Sequence, residues 1–295
     1  MGFGADEVRT VLRTSWQCSP GDCVPLSGNL WRVSVDGAVF VAKRRPLDRR
    51  VRFEAGLHAA ERLDRAGIAA GAPVRAADGA LTVVAEGGLL ALLRWVPGRP
   101  LHPDDPIERQ WWGNTLAAVH RALVRFTHPG LAPFHRVRPE APHLSVDDWL
   151  RPAVRAAVAA VRKLCVTDQL TYGVLHGNPS PAEFRLDPET GKVGLVEWGD
   201  AGGGPLVYDV AAAVRFAGGP DASADLLDGY LAGSALAAAS AVTREECEAA
   251  LPTMLRFRAA VIADRLAARL FAGAGSVQSR ASDKAALAAL RPHLT

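Results

Sequence analysis

Leu175-His176-Gly177-Asn178-Pro179-Ser180-Pro181-Ala182-Glu183, with Gly194-Leu195-Val196-Glu197-Trp198 shortly after it, is the stretch on which the reading of this chain turns. Pro188-Glu189-Thr190-Gly191 supplies turn chemistry between the two pieces, so residues 171–199 read as a short β-containing loop segment set among helical patterns. Asn178-Pro179-Ser180 has the outline of a glycosylation acceptor, but its central proline excludes that use. Gly202-Gly203-Gly204 lacks the strand–turn–helix spacing of a dinucleotide fingerprint and reads as a loop.

Upstream, residues 5–16 carry helical spacing. Leu30–Val35 alternates as a strand does, Asp36-Gly37 is a hairpin turn, and Ala38–Lys43 is its partner strand. Residues 49–66 form an amphipathic helix with Phe53, Leu57 and Leu63 on its apolar side. Leu81–Val84 and Leu89–Trp95 are two more strands around Gly87-Gly88. Past Pro97-Gly98-Arg99-Pro100 the pattern turns helical, over 106–124, 145–165, 205–217, 221–236 and 243–272, and Pro252 is expected to kink or divide the last. The order is α+β: a small antiparallel β-sheet lobe with one key helix (1–95), a Pro/Gly hinge (96–100) and a larger, mainly helical lobe (101–295) whose central loop is 175–200.

The chain resembles the aminoglycoside phosphotransferase and choline kinase family, of protein-kinase-like fold. The matched segments, in family order, are Ser27-Gly28-Asn29-Leu30-Trp31, Val41-Ala42-Lys43, Phe53-Glu54, Trp95-Val96-Pro97-Gly98, Leu116-Ala117-Ala118-Val119-His120, the His176 loop, Val196-Glu197-Trp198 and Tyr208-Asp209-Val210. The resemblance implies that Lys43 contacts nucleotide phosphates and is held by Glu54, the alternative being an ordinary surface Lys and Glu. It implies that Ser27 and Gly28 belong to a loop over the phosphates, or else to a plain hairpin turn. It also implies that the backbone at Trp95 and Val96 meets a nucleobase edge. His120 reads as packing, His176 as a residue that orients the loop, and Asp209 as the acid that steadies it.

Three positions depart from the family's chemistry. The family reads His-Gly-Asp-x-x-x-x-Asn and then Ile-Asp-Trp, where the Asp engages the acceptor hydroxyl and the Asn and second Asp hold Mg²⁺. This chain has Asn178, Glu183 and Glu197 there, and no aspartate between His176 and Asp187 offers another register. Asn178 cannot accept a proton as a carboxylate does, a role worth roughly 10²–10⁴-fold. Glu197 carries its carboxylate one methylene further, and displacement by about 1 Å can cost ~10²-fold. Glu183 brings a charge where the family has an amide. Glu183 and Glu197, with or without Asp200, are the candidate metal ligands; solvated or capping carboxylates are the alternative.

Composition narrows the partners. Net charge is +3 and only four of the 34 basic residues are lysine, an arginine bias with the alanine richness of a GC-rich genome, so nucleic acid is not the expected partner. Cys18, Cys23, Cys165 and Cys247 form no CxxC pair, and no apolar run is long enough for a membrane, so a reduced, cytoplasmic protein is expected. The leading expectation is a pseudokinase that binds ATP or another nucleotide with Mg²⁺ (or no cofactor), a small ligand, or a peptide or protein partner. The alternative is an active phosphotransferase of unusual chemistry acting on a small molecule or a peptide Ser/Thr, with the biosynthesis of modified peptide natural products as its setting. An aminoglycoside-resistance kinase is less favoured, because residues 221–295 have no acidic surplus for a polycation.

Overall fold

The computed structural model describes residues 3–134, 136–167, 169–235 and 242–295. Helix α1 (Ala5–Ser15) precedes strands β1 (Pro20–Ser27), β2 (Leu30–Val35) and β3 (Ala38–Pro46); α2 (Arg50–Arg65) follows, then β4 (Pro73–Val74), β5 (Val83–Ala85) and β6 (Gly88–Arg94). These six strands form one antiparallel sheet in the order β1-β2-β3-β6-β4, with β5 also on β6. The β2–β3 hairpin closes at Asp36-Gly37, both residues having positive φ (49° and 80°), the geometry whose twist suits a two-residue turn.

Burial explains why both sheet faces hold. Trp31, Val33 and Val35 alternate inward along β2 and pack with Val8 and Leu12 of α1. β6 is apolar nearly throughout because it is covered on both sides: Leu90 and Leu92 join the α1 cluster, while Leu89 and Ala91 pack against Phe53 and Leu57 of α2. Lys43 on β3 lies opposite Ala91 of β6, across the sheet from the α1 side to which Ala42 belongs.

The remaining elements are α3 (Pro106–Ala122), β7 (Ala132–Pro133), α4 (Leu150–Cys165), β8 (Tyr172–Leu175), β9 (Phe184–Leu186), β10 (Val193–Leu195), β11 (Gly202–Pro205), α5 (Val207–Phe216), α6 (Ala224–Ser234), α7 (Arg244–Phe271), α8 (Val277–Ala289) and α9 (Arg291–Leu294). They share one core around Trp112, Leu116, Phe184, Tyr230 and Phe257. β9 and β10 form a hairpin over the predicted Pro188–Gly191 turn. β11 pairs with β8 antiparallel and with β7 parallel.

Three expectations are corrected. Of the kink or division expected at Pro252, the division does not occur: α7 runs unbroken over 28 residues, with Pro252 on the exposed side of a helix anchored on its other side by Leu251, Met254 and Phe257. The helix expected from 145 begins at Leu150, after a 3₁₀ turn at Pro142–Ser145. β1 and α8 were not anticipated: Pro20–Ser27 is largely exposed and α8 buries only Leu287, so neither carries strong periodicity. Helix α6 ends at Ser234, and the last residue of the expected 221–236 helix lies outside the described residues.

Candidate functional site

Between the sheet and the helices lies a cavity of about 570 Å³. Leu30, Val41, Leu93 and Val96 give it an apolar end, and Lys43, Glu183, Arg185 and Glu197 a charged one. Ser27, Lys43, Trp95 and Val96 all line it; Gly28 and Glu54 do not. Gly28 sits in the β1–β2 turn with φ +36° and has nothing near its open side.

A second, polar chamber of about 230 Å³ adjoins the charged end and shares Glu183, Glu197 and Gly199 with it. It brings in Arg45, His176, Asn178 and Asp200. The two halves of the central motif are stitched together at Val196, whose N–H donates to the Glu183 carbonyl (2.9 Å) and whose carbonyl accepts from His176 Nε2 (2.7 Å). That second bond fixes the tautomer: Nε2 carries the proton, and Nδ1 is buried with no partner. Burial pushes the His176 pKa down, so the ring is neutral and acts as a strut.

The loop is steadied from below by Asp209, which is fully buried in the first turn of α5. Its oxygens accept from the His176 N–H (2.6 Å) and the Gly177 N–H (2.9 Å), and its Oδ2 lies 3.3 Å from His120 Nε2. Burial raises the Asp209 pKa, but the His120 hydrogen bond, the neighbouring histidines and the Gly177 N–H outweigh it and hold the carboxyl below its ordinary value. His120 also meets the Tyr230 hydroxyl at 2.9 Å.

Lys43 does not pair with Glu54. Its ammonium, 3% exposed, donates to Glu197 Oε2 at 2.7 Å, and Arg45 Nη2 lies 3.9 Å from the same oxygen. Glu54 turns away, accepting from Thr82 Oγ1 (2.8 Å) with Arg50 at 3.5 Å. The physical reason is reach: the extra methylene of Glu197 carries its carboxylate to the ammonium. Burial lowers the Lys43 pKa, Glu197 opposes this, and Arg45 lowers it further. Glu197 has left-handed backbone (φ 66°, ψ 53°), a conformation costing a non-glycine residue roughly 1 kcal/mol or more. Its turn is clamped by Trp198, whose Nε1 donates to the Leu195 carbonyl and whose ring meets His176 edge-on at 4.8 Å.

Glu183 is a strongly perturbed carboxyl. Burial, then the adjacent Glu197 charge, push it up to about 7, against the pull of Arg185 and Lys43. Asp200 is engaged elsewhere, accepting from Arg52 Nη2 (2.8 Å) with Arg265 at 3.9 Å. The rearranged three-carboxylate site is therefore not formed: among the described residues no group of three or more His, Cys, Asp or Glu side chains is placed to hold a metal ion.

Arg258 of α7 was missed by the sequence reading. It is 2% exposed, and its Nη1 donates to the Gly177 carbonyl (2.9 Å) and the Tyr208 hydroxyl (2.8 Å). Its Nη2 lies 3.5 Å from Asn178 Oδ1, and its guanidinium stacks on the Tyr208 ring at 4.7 Å. The available signal was an arginine at helical spacing from Met254 and Val261, on the apolar stripe of its helix.

Residues 26–248 match the APH profile, described as the phosphotransferase enzyme family. Among solved structures, the amicoumacin kinase hAmiN in complex with AMP-PNP, Ca2+ and Ami superposes with a TM-score of 0.74 at 16% identity, covering 99% of this chain and 93% of that one. The microcompartment-associated aminopropanol kinase gives 0.71 at 18% identity, covering 98% and 95%. The choline kinase LicA from Streptococcus pneumoniae gives 0.67 at 11% identity, covering 97% and 98%. No curated protein sequence matches the chain. At these identities the structural likeness establishes the protein-kinase-like fold.

Proposed function

The chain belongs to the phosphotransferase enzyme family, and from that membership we propose that it is a nucleotide-binding pseudokinase, one that keeps the cleft and has lost ordinary phosphoryl transfer to a hydroxyl. The observation that carries this reading is the pair of contacts made by the altered residues. Glu197 closes on Lys43 at 2.7 Å, and Asn178, an amide where a proton acceptor is needed, faces the Arg258 guanidinium.

A nucleotide fits the residues present. The apolar end between Leu30, Val41, Leu93 and Val96 suits a base, the backbone at Trp95 and Val96 borders that end, and Lys43 stands where phosphates would lie. Ser27 lies at the rim. A Mg²⁺ ion fits less well. Metal binding by Glu183 and Glu197 requires Glu197 to release Lys43 and Glu183 to lose its proton, and Mg²⁺ demands near-ideal geometry. No step is therefore assigned to a metal. In the relatives, AMP-PNP and Ca2+ accompany the amicoumacin kinase, which supports nucleotide binding as the shared property. The size of the cavities supports a small-molecule ligand over a peptide. No helix of the described residues is long and apolar enough to cross a membrane, and the four cysteines are free, which supports a reducing cytoplasm.

Calorimetry with ATP, with and without Mg²⁺, on the wild type and Lys43→Ala tests the reading. ATP binding lost in the variant is expected. Transfer of the γ-phosphate to any acceptor faster than about 1 s⁻¹, within the kinase range, would overturn it. One observation favours a second reading, an active enzyme of unusual chemistry: Glu183, held near neutrality beside Asn178, has the pKa of an effective general base. In that case Glu183→Gln abolishes whatever transfer the wild type shows.

A further inference from the structure

Beyond the chamber at Asn178 lies a third space of about 190 Å³, which shares Asp200 with the chamber and is bordered by Gly177 of the central loop. The three cavities thus run in series, from the large cleft through the polar chamber to this pocket. Arg52 of α2, Arg265 of α7 and Arg136 of the intervening loop all face it. Against three guanidinium groups stand two carboxylates. Asp200 is shared between Arg52 and Arg265, and Asp264 is already held by His143 Nε2 at 2.6 Å.

The cations are left underneutralised. Among the described residues Arg136 has no hydrogen bond or ion pair, and the buried Nε of Arg52 has no partner. Burial lowers the Arg52 pKa; Asp200 opposes this, and the charges of Arg136, Arg49 and Arg265 depress it further. Like charges gather this closely at a cost that an anion would offset. The opposite wall is apolar: Phe134 packs edge-on against Tyr208 at 5.1 Å, with Val137 and Val261 beside them.

We propose that this pocket binds the acceptor-side ligand, and that the ligand is a compact organic anion: a carboxylate or phosphate head seated among Arg52, Arg136 and Arg265, with an apolar body against Phe134 and Tyr208. The volume is below the ~300–1,000 Å³ of pockets for drug-sized ligands, which limits the body to about one ring. The proposal rests on the reading above in treating the Asn178 chamber as the space between nucleotide and acceptor. The binding it predicts is measured without nucleotide, so the two readings fail separately.

The experiment is calorimetric titration of the full chain with phenyl phosphate, benzoate and benzylamine, three probes of similar shape and different charge. At least one of the two anions binds, and their relative affinity distinguishes a phosphate from a carboxylate head, while benzylamine does not bind. Arg136→Ala and Arg265→Ala each weaken anion binding by about tenfold or more, the loss that goes with a hydrogen bond to a charged group. Both side chains are solvent-exposed, so the variants keep the wild-type melting temperature. Lys43→Ala leaves anion binding unchanged. The proposal is overturned if neither anion binds at millimolar concentration, if benzylamine binds as tightly, or if anion binding follows Lys43 instead of Arg136.

Discussion

Two glutamates set the behaviour of the site. Breaking a buried ion pair costs about 3–5 kcal/mol; Glu197 is 37% exposed, so solvent reduces the loss expected for Glu197→Ala to roughly 1–3 kcal/mol in chemical denaturation. ATP should then raise the melting temperature of that variant more than that of the wild type, because phosphate oxygens meet an ammonium with no other partner. Equal shifts would show that Glu197 and phosphate do not compete for Lys43. Glu183 gives a pH signature. Its folded pKa of about 7 lies above the ordinary 4.5, so between these values the folded state holds the proton that the unfolded state releases. Its contribution to stability is therefore complete below about pH 4.5 and is lost as pH rises through 7. Glu183→Gln should match the wild type at low pH and exceed it by about 1–2 kcal/mol above neutrality, after allowance for the solvent that reaches this half-buried group. Denaturant titrations across pH 4.5–8 check this. The departures at 178, 183 and 197 were legible as residue types. Their partners were not: the choice between Glu54 and Glu197 depends on where two side chains end in space, and the sequence carries no signal for that.

At the scale of elements, α2 is wedged between backbones. A Cβ on Gly56 would lie 2.3 Å from the Trp198 carbonyl oxygen, and one on Gly130 would lie 2.0 Å from the Val51 carbonyl. Gly56→Ala must push α2 away from the turn that carries Glu197, with an overpacking cost of about 1–3 kcal/mol. Loss of ATP affinity should accompany it, read by calorimetry alongside denaturation. In α7, Pro252 leaves one helical hydrogen bond unmade. Pro252→Ala on that exposed position should stabilise the chain by about 1–2 kcal/mol, visible as a higher melting temperature. Periodicity located most helices to within a few residues, because each has one apolar face against the common core. It could not separate a proline that ends a helix from one carried on its outer side, since tertiary packing decides between them.

For the molecule as a whole, alternation along β2, the continuous apolar run of β6 and the glycine-rich turns made the antiparallel sheet legible, and helical spacing beyond residue 100 did the same for the rest. The third cavity was not legible, because Arg52, Arg136 and Arg265 come from three distant segments that only the fold assembles. We retain the division at 1–95, 96–100 and 101–295 as a proposal, supported by where the sheet ends and the helices begin. The connection itself is short. The chain is still in the sheet at Arg94, and by Arg99 it is already tied to β9, with Arg99 N–H donating to the Leu186 carbonyl (3.0 Å) and Leu186 N–H returning to Arg99 (2.8 Å). Gly98, at φ +108°, lies against that same strand with no room for a side chain. Any rocking of the sheet over the helices must therefore be absorbed within Trp95–Gly98, and Trp95 and Val96 are also walls of the cavity between them. Widening the gap and reshaping its lining become a single motion, so a molecule lodged against these two residues would act as a wedge, setting the posture of the entire chain from its fulcrum.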